Sequence, residues 1–363
     1  MINSSEKKII CSIRKLIALS VLATGVFILS NCKEEVSTSA GSQHLIFSKD
    51  QVSNYWDGTM IFNTPDNPFL KPIKSNYTIH SKSDSMLSLL KNSCGPNNNN
   101  TYVVATNYSS PVYIATDSTP KKDIKITLYN IPQGKSHIIN VPIVPGSEAA
   151  IGSDKHYIVI DKDSRCAKEF WIFNQNKAAS GNGISIDSNG IYRNGKSSVA
   201  AGFSQLQGII WPKELREKKI EHALFFSCSV TNSNGYVYPA TSNDGAIANN
   251  PYAIPQGTLV RIRPNVNIDT ISGITDVEKT IYSALQKYGM YCGDTNGAGL
   301  GIKAVSVQSI NKDAYPSNFD LNNNFGSYYL KKFPFSLMEV VYTGPLTKSI
   351  QRPILTNQCI SWR

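Results

Sequence analysis

Residues 157–160 read Tyr-Ile-Val-Ile. A continuous apolar run of this length is the pattern of a strand covered on both faces, so it belongs in the middle of a sheet. Strand signals extend from it in both directions. Upstream lie His137 to Ile143, Ile124 to Leu128, Val112 to Thr116 and Tyr102 to Thr106, with a turn at Pro132-Gln133-Gly134. Downstream lie Ala167 to Phe173, Ile184 to Ile186, Ile191 to Tyr192, His222 to Val230, Tyr236 to Pro239, Leu259 to Ile268 and Ile302 to Val307. Ser188-Asn189-Gly190 separates two of these runs, and Asn-Gly between apolar segments predicts a hairpin. Only two helices are expected. One is short, Asp84 to Lys91. The other is Asp276 to Tyr288, where Thr275 and Glu278 form a capping box. Val277, Ile281, Ala284, Leu285 and Tyr288 make its apolar face, and Gly289 its stop. Many short strands, abundant turn residues and few helices predict a mainly β protein. The expected form is an antiparallel β-sandwich or jelly-roll with one or two short helices.

The chain has 363 residues, of which 41% are apolar, too many for a disordered polymer. Its formal net charge is +10. The basic residues are scattered, and Glu214, Glu217 and Glu221 interleave with Lys218-Lys219. Without a basic stripe or stacking aromatics along it, nucleic acid is not an expected partner.

The first 31 residues read as an export address. Lys7, Lys8, Arg14 and Lys15 precede an apolar stretch from Leu16 to Leu29, too short to span a bilayer. Then comes Leu29-Ser30-Asn31-Cys32. Leu three places before Cys resembles the lipobox of bacterial lipoproteins, with Asn31 departing from the usual small residue. The resemblance implies cleavage before Cys32 and acylation of Cys32 with palmitate-type chains. It also implies a membrane partner reached through that lipid anchor, since two or three acyl chains hold a protein firmly on a bilayer. Lys33, rather than Asp, after the Cys points to the outer membrane. The expected organisation is a signal peptide at 1–31, a flexible tether at 32–43 and a β body at 44–363. Residues 44–100 are a candidate small N-terminal subdomain within that body. Loss of residues 1–31 leaves a net charge of +7.

Several blocks, in order, resemble an uncharacterised family of secreted, β-rich bacterial proteins. They are Asp66-Asn67-Pro68-Phe69; Asp154-Lys155-His156 through Asp161, with Cys166 and Glu169; Ile220 to Leu224; Arg261-Ile262-Arg263; and Ala284 to Met290 with Asp294. The resemblance covers roughly residues 60–300. It implies an exported β-rich body and no known activity. Glu221 and Phe225 stand where that family has Arg, and Asn267 where it has Asp.

Export makes disulfides plausible for Cys94, Cys166, Cys228, Cys292 and Cys359. Cys228 with Cys292 is the preferred pair, because both end apolar runs that can lie side by side. No C-x-x-C or H-E-x-x-H occurs, so no metal site and no cofactor is expected. His156, Glu169 and His222 are the candidate acid–base residues if they meet in a cleft. Strand-end histidines held by backbone or carboxylate are the more common arrangement. Arg261, Arg263 and Asp294 are the candidate ligand-binding residues. The two arginines share a strand face and could clamp an anion, or pair with acids across strands. Gly297-Ala298-Gly299-Leu300-Gly301 lacks the Lys-Ser/Thr of a phosphate loop and reads as a turn. The leading expectation is an outer-membrane lipoprotein whose β-sandwich binds glycan or other surface ligands. The alternatives are a polysaccharide-cleaving hydrolase or lyase, and an adhesin for host extracellular matrix.

Overall fold

The computed structural model describes residues 61–193, 197–322, 326–348 and 357–363. The expected leader, Cys32 and the tether lie outside the described residues.

The Tyr157–Asp161 run forms strand β5, buried at every position. It is an inner strand of a four-stranded sheet ordered β2 (Val112–Ala115), β5, β6 (Cys166–Trp171), β8 (Ser180–Ser185). The reason for its composition is visible in what it touches. Ile158 and Ile160 enter one core, while Tyr157 and Val159 enter another on the opposite face. The second core is closed by a three-stranded sheet of β4 (His137–Pro142), β3 (Lys121–Ile126) and β7 (Lys177–Ala178).

The first and larger core is shared with a seven-stranded sheet. Its order begins at β15 (Ser327–Tyr329), β1 (Thr101–Val104), β14 (Leu300–Lys303) and β9 (Leu224–Cys228). It continues with β13 (Met290–Thr295), β12 (Leu259–Ile262) and β16 (Met338–Val341). Leu224, Phe226 and Cys228 of β9 face the large core, and Ala223 and Phe225 face a third core with Phe69 and Phe203. A small pair, β10 (Thr231–Tyr236) and β11 (Ile254–Gln256), lies outside these sheets.

The protein is therefore mainly β, as its strand pattern predicts. The sheets are mixed: β1/β14, β9/β13, β2/β5, β3/β7 and β10/β11 run parallel. Alternation along a strand reports which face is buried and carries nothing about the direction of a neighbour tens of residues away.

Three α-helices occur among the described residues: α1 (Ser83–Ser93), α2 (Pro212–Arg216) and α3 (Asp276–Lys287). The capping box of α3 forms as expected, Thr275 Oγ1 accepting from the Glu278 N–H and Glu278 Oε2 from the Thr275 N–H. Gly289 ends α3 at φ 77°. The short α2 was not anticipated; Glu214 caps it by accepting from the Trp211 N–H. Residues of α1 (Met86, Leu87 and Leu90) join the large core, so the region 61–100 packs into the main body. No helix among the described residues is long and apolar enough to cross a membrane.

Two local expectations are corrected. Ser188-Asn189-Gly190 does turn, with Gly190 at φ 72°, but it closes no hairpin between 184–186 and 191–192. Ile191 bridges instead to Phe203, and the Ile186 carbonyl accepts from the Phe62 N–H. Two apolar residues after the turn are too few to hold a register. The disulfide is Cys166–Cys359, with Cα atoms 5.4 Å apart, not Cys228–Cys292. Cys228 and Cys292 are buried free thiols on neighbouring parallel strands. They sit out of register, Cys292 opposite Phe226 and Cys228 opposite Thr295. The Cys166–Cys359 bridge instead clamps the C-terminal segment, where His137 and Arg363 exchange backbone hydrogen bonds beside β4.

Candidate ligand-binding cleft

One face of the seven-stranded sheet opens into a cavity of about 530 Å³. Strand register explains its floor. Tyr329, Tyr102, Gly301, Ser227 and Asp294 stand in one row across five strands, each opposite the next. Lys303, two residues beyond Gly301, shares its face. Gly301 is the low point of this row. A Cβ there would lie 3.2 Å from the Tyr102 ring and 3.3 Å from Ser227 Oγ, so its absence makes the hollow.

Asp294 reaches this face because of a bulge. Cys292 pairs with Phe226 and Asp294 with Ser227, leaving Gly293 as an extra residue. Without it, strand alternation would send Asp294 into the core beside Cys228. The bulge must be glycine: a Cβ on Gly293 would sit 2.0 Å from Phe225 Cε2. The end of β13 is then held by Thr295, whose Oγ1 donates to Asp244 Oδ1 at 2.6 Å and meets Thr231 Oγ1 at 2.7 Å.

The charges are few and close together. Lys303 Nζ lies 3.9 Å from Asp294 Oδ2 and 4.8 Å from the centre of the Phe225 ring. Burial pushes the Asp294 carboxyl up to about 7; the Lys303 ammonium draws it down, and Asp244 and Asp154 push it up further. Asp154 also lines the cleft and accepts from Trp171 Nε1 at 3.3 Å. Around these stand amide and hydroxyl groups. Asn296 Nδ2 donates to the Ser227 carbonyl at 3.1 Å, and Tyr102 Oη to the Ala298 carbonyl at 3.2 Å. Tyr102 and Tyr329 meet edge to face at 6.4 Å. Gly297 and Ala298 of the glycine-rich stretch also line the cleft.

The sequence-derived candidates divide. Asp294 is in the cleft. His156 is buried behind it, its Nε2 4.0 Å from Asp154 Oδ2 and its Nδ1 without a partner. Burial, with Lys303 adding to it, holds the His156 pKa well below the usual imidazole value, so the ring is neutral. Glu169 is elsewhere in the core. It accepts from the hydroxyls of Ser204 and Ser198 and from the Gln205 N–H, and burial pushes it up to about 7. His222 Nε2 pairs with Glu214 Oε1 at 2.9 Å and its Nδ1 lies 2.9 Å from the Ala223 carbonyl oxygen. Burial works against the charged His222 ring, but Glu214 outweighs it and the pKa is raised. His156 lies against the cleft residue Asp154, whereas Glu169 and His222 engage two other sets of partners, so the three form no common acid–base site.

The arginines also stand apart from the cleft. Arg261 is buried and its Nε donates to Glu339 Oε1 at 2.6 Å, directly across the β12/β16 ladder. Arg263 Nη2 donates to the Ser336 carbonyl at 2.7 Å. They make cross-strand and loop contacts rather than an anion clamp.

Tyr102, Lys303, Tyr329 and Asp154 escaped the sequence reading. Lys303 left a signal, a lone cation inside the apolar run 302–307. Comparison with protein-family models, curated proteins and solved structures finds no match.

Proposed function

We propose that this chain is an outer-membrane lipoprotein, anchored through Cys32, whose β body binds glycan in the Asp294–Tyr102 cleft. The row Tyr329–Tyr102–Gly301–Ser227–Asp294 carries the reading. Flat aromatic rings pack against the C–H faces of sugars, while carboxylate, amide and hydroxyl groups bond vicinal hydroxyls; a cavity of about 530 Å³ accommodates a few sugar rings. Binding of a glycan panel to the full chain in detergent tests it. Tyr102→Ala and Asp294→Asn should each weaken retained ligands at least tenfold. A panel with no ligand, or ligands indifferent to both changes, defeats the reading. The anchor is tested by radiolabelled palmitate in the native host, which should label wild type and spare Cys32→Ser.

One observation favours a second reading, glycan hydrolysis. Asp294 is a carboxyl that burial pushes up to about 7, poised to exchange a proton near neutrality, and Asp154 is a second acid lining the same cleft. Asp294 would protonate the leaving oxygen and Asp154 would take a proton from attacking water. Release of reducing ends by wild type but not by Asp294→Asn separates this reading from binding alone.

A further inference from the structure

The cleft does not end at Tyr329. A second hollow, of about 750 Å³, is also lined by that residue. Tyr329 lines both spaces, and the consecutive residues Asn99 and Asn100 line one each. β15, which carries Tyr329, is the edge strand of the seven-stranded sheet. The two hollows therefore share a lining residue that belongs to the edge of the sheet.

The two hollows differ in charge. In the first, Lys303 is taken up by Asp294. In the second, Lys331 and Lys332 are both exposed, and neither has an ion pair among the described residues. Two acids share that space. Glu278 is buried and committed to the α3 cap. Asp320 is exposed and accepts from the Asn322 N–H. The hollow holds two ammonium groups and two carboxylates, and of the two acids only Asp320 is exposed to meet a ligand beside the open lysines.

We propose that the ligand is an anionic polysaccharide whose chain crosses Tyr329, with uncharged faces of its sugars on the Asp294 side and acidic substituents at Lys331 and Lys332. This rests on the glycan reading of the first cleft and assigns it a polymer class. Length follows from two hollows joined by one shared ring, and charge from the two lysines. Carboxylate and sulfate present the same chemistry to an ammonium group.

Isothermal titration of the full chain in detergent with three polymers separates these possibilities: dextran (neutral), dextran sulfate and polygalacturonate. Wild type should bind at least one anionic polymer about tenfold tighter than dextran at low salt, with the preference fading as salt rises. Lys331→Ala/Lys332→Ala should abolish that preference and leave thermal stability unchanged. Whichever anion loses affinity in the double variant identifies the substituent. A fragment of two sugars should bind more weakly than the polymer in wild type and equally in Tyr329→Ala. If the double variant keeps wild-type discrimination while Asp294→Asn abolishes binding, the second hollow is not a subsite and the first cleft stands alone. If no glycan binds wild type, both readings fall together.

Discussion

Asp294 stands opposite Ser227 across β13 and β9 because Gly293 inserts one unpaired residue between Cys292 and Asp294. This single insertion turns a carboxylate from the core face to the cleft face. It is possible because residue 293 has no side chain, since a Cβ there would collide with the Phe225 ring.

Gly293→Ala should therefore be costly. A methyl group cannot fit beside the Phe225 ring without displacing β13, so about 1–3 kcal/mol of stability should be lost. Glycan binding should fall in parallel with it. Chemical denaturation checks the first; an unchanged midpoint would show that the bulge relaxes freely.

Gly301→Val should act oppositely. The atoms nearest the added Cβ belong to the Tyr102, Val104 and Ser227 side chains, which would have to give by a few tenths of an ångström, and the valine branches would fill the hollow. The fold should survive with a melting temperature close to wild type, and binding should be lost at least tenfold. Retained affinity would place the ligand elsewhere.

Breaking the Cys166–Cys359 bridge with Cys166→Ser/Cys359→Ser should destabilise the body by about 2–4 kcal/mol, since it closes a loop spanning 193 residues. The first region to open should be the C-terminal segment beside β4. Hydrogen exchange at Ile139 and Arg363, which bond across that junction, should accelerate before exchange in β5 does.

Glu169 should make stability fall as pH rises. Its folded pKa is pushed up to about 7 by burial, above the 4.5 of an open glutamate. The folded state thus holds a proton that the unfolded state releases between these values. Its contribution is fully present below about 4.5, declines as pH climbs to about 7, and is then constant. Glu169→Gln keeps an acceptor for Ser204 and removes the titration. The variant should match wild type near pH 4 and exceed it above pH 7 by up to a few kcal/mol. A pH-independent difference in melting temperature would show that the folded-state pKa of Glu169 is not raised above its unfolded value.

Particular residues show what was legible in advance. The Tyr157–Ile160 run announced a doubly covered strand, because continuous apolarity has one economical explanation in a sheet. The α3 boundaries were legible because Thr275, Glu278 and Gly289 act within a few residues of one another. The cleft was legible only at Asp294. Lys303 hinted at something by interrupting an apolar run, whereas Tyr102 and Tyr329 looked like any strand tyrosine.

From its amino acids alone this protein was committed to short strands, to a capped α3 and to a largely apolar interior, since propensity, periodicity and capping operate over a few residues. Tertiary structure alone decided that β1 lies parallel to β14, that Cys166 meets Cys359, and that Tyr329, Tyr102, Ser227 and Asp294 share one row. Those pairings join segments separated by up to 227 residues, as Tyr102 is from Tyr329, and they depend on which surfaces bury one another, which no local pattern encodes.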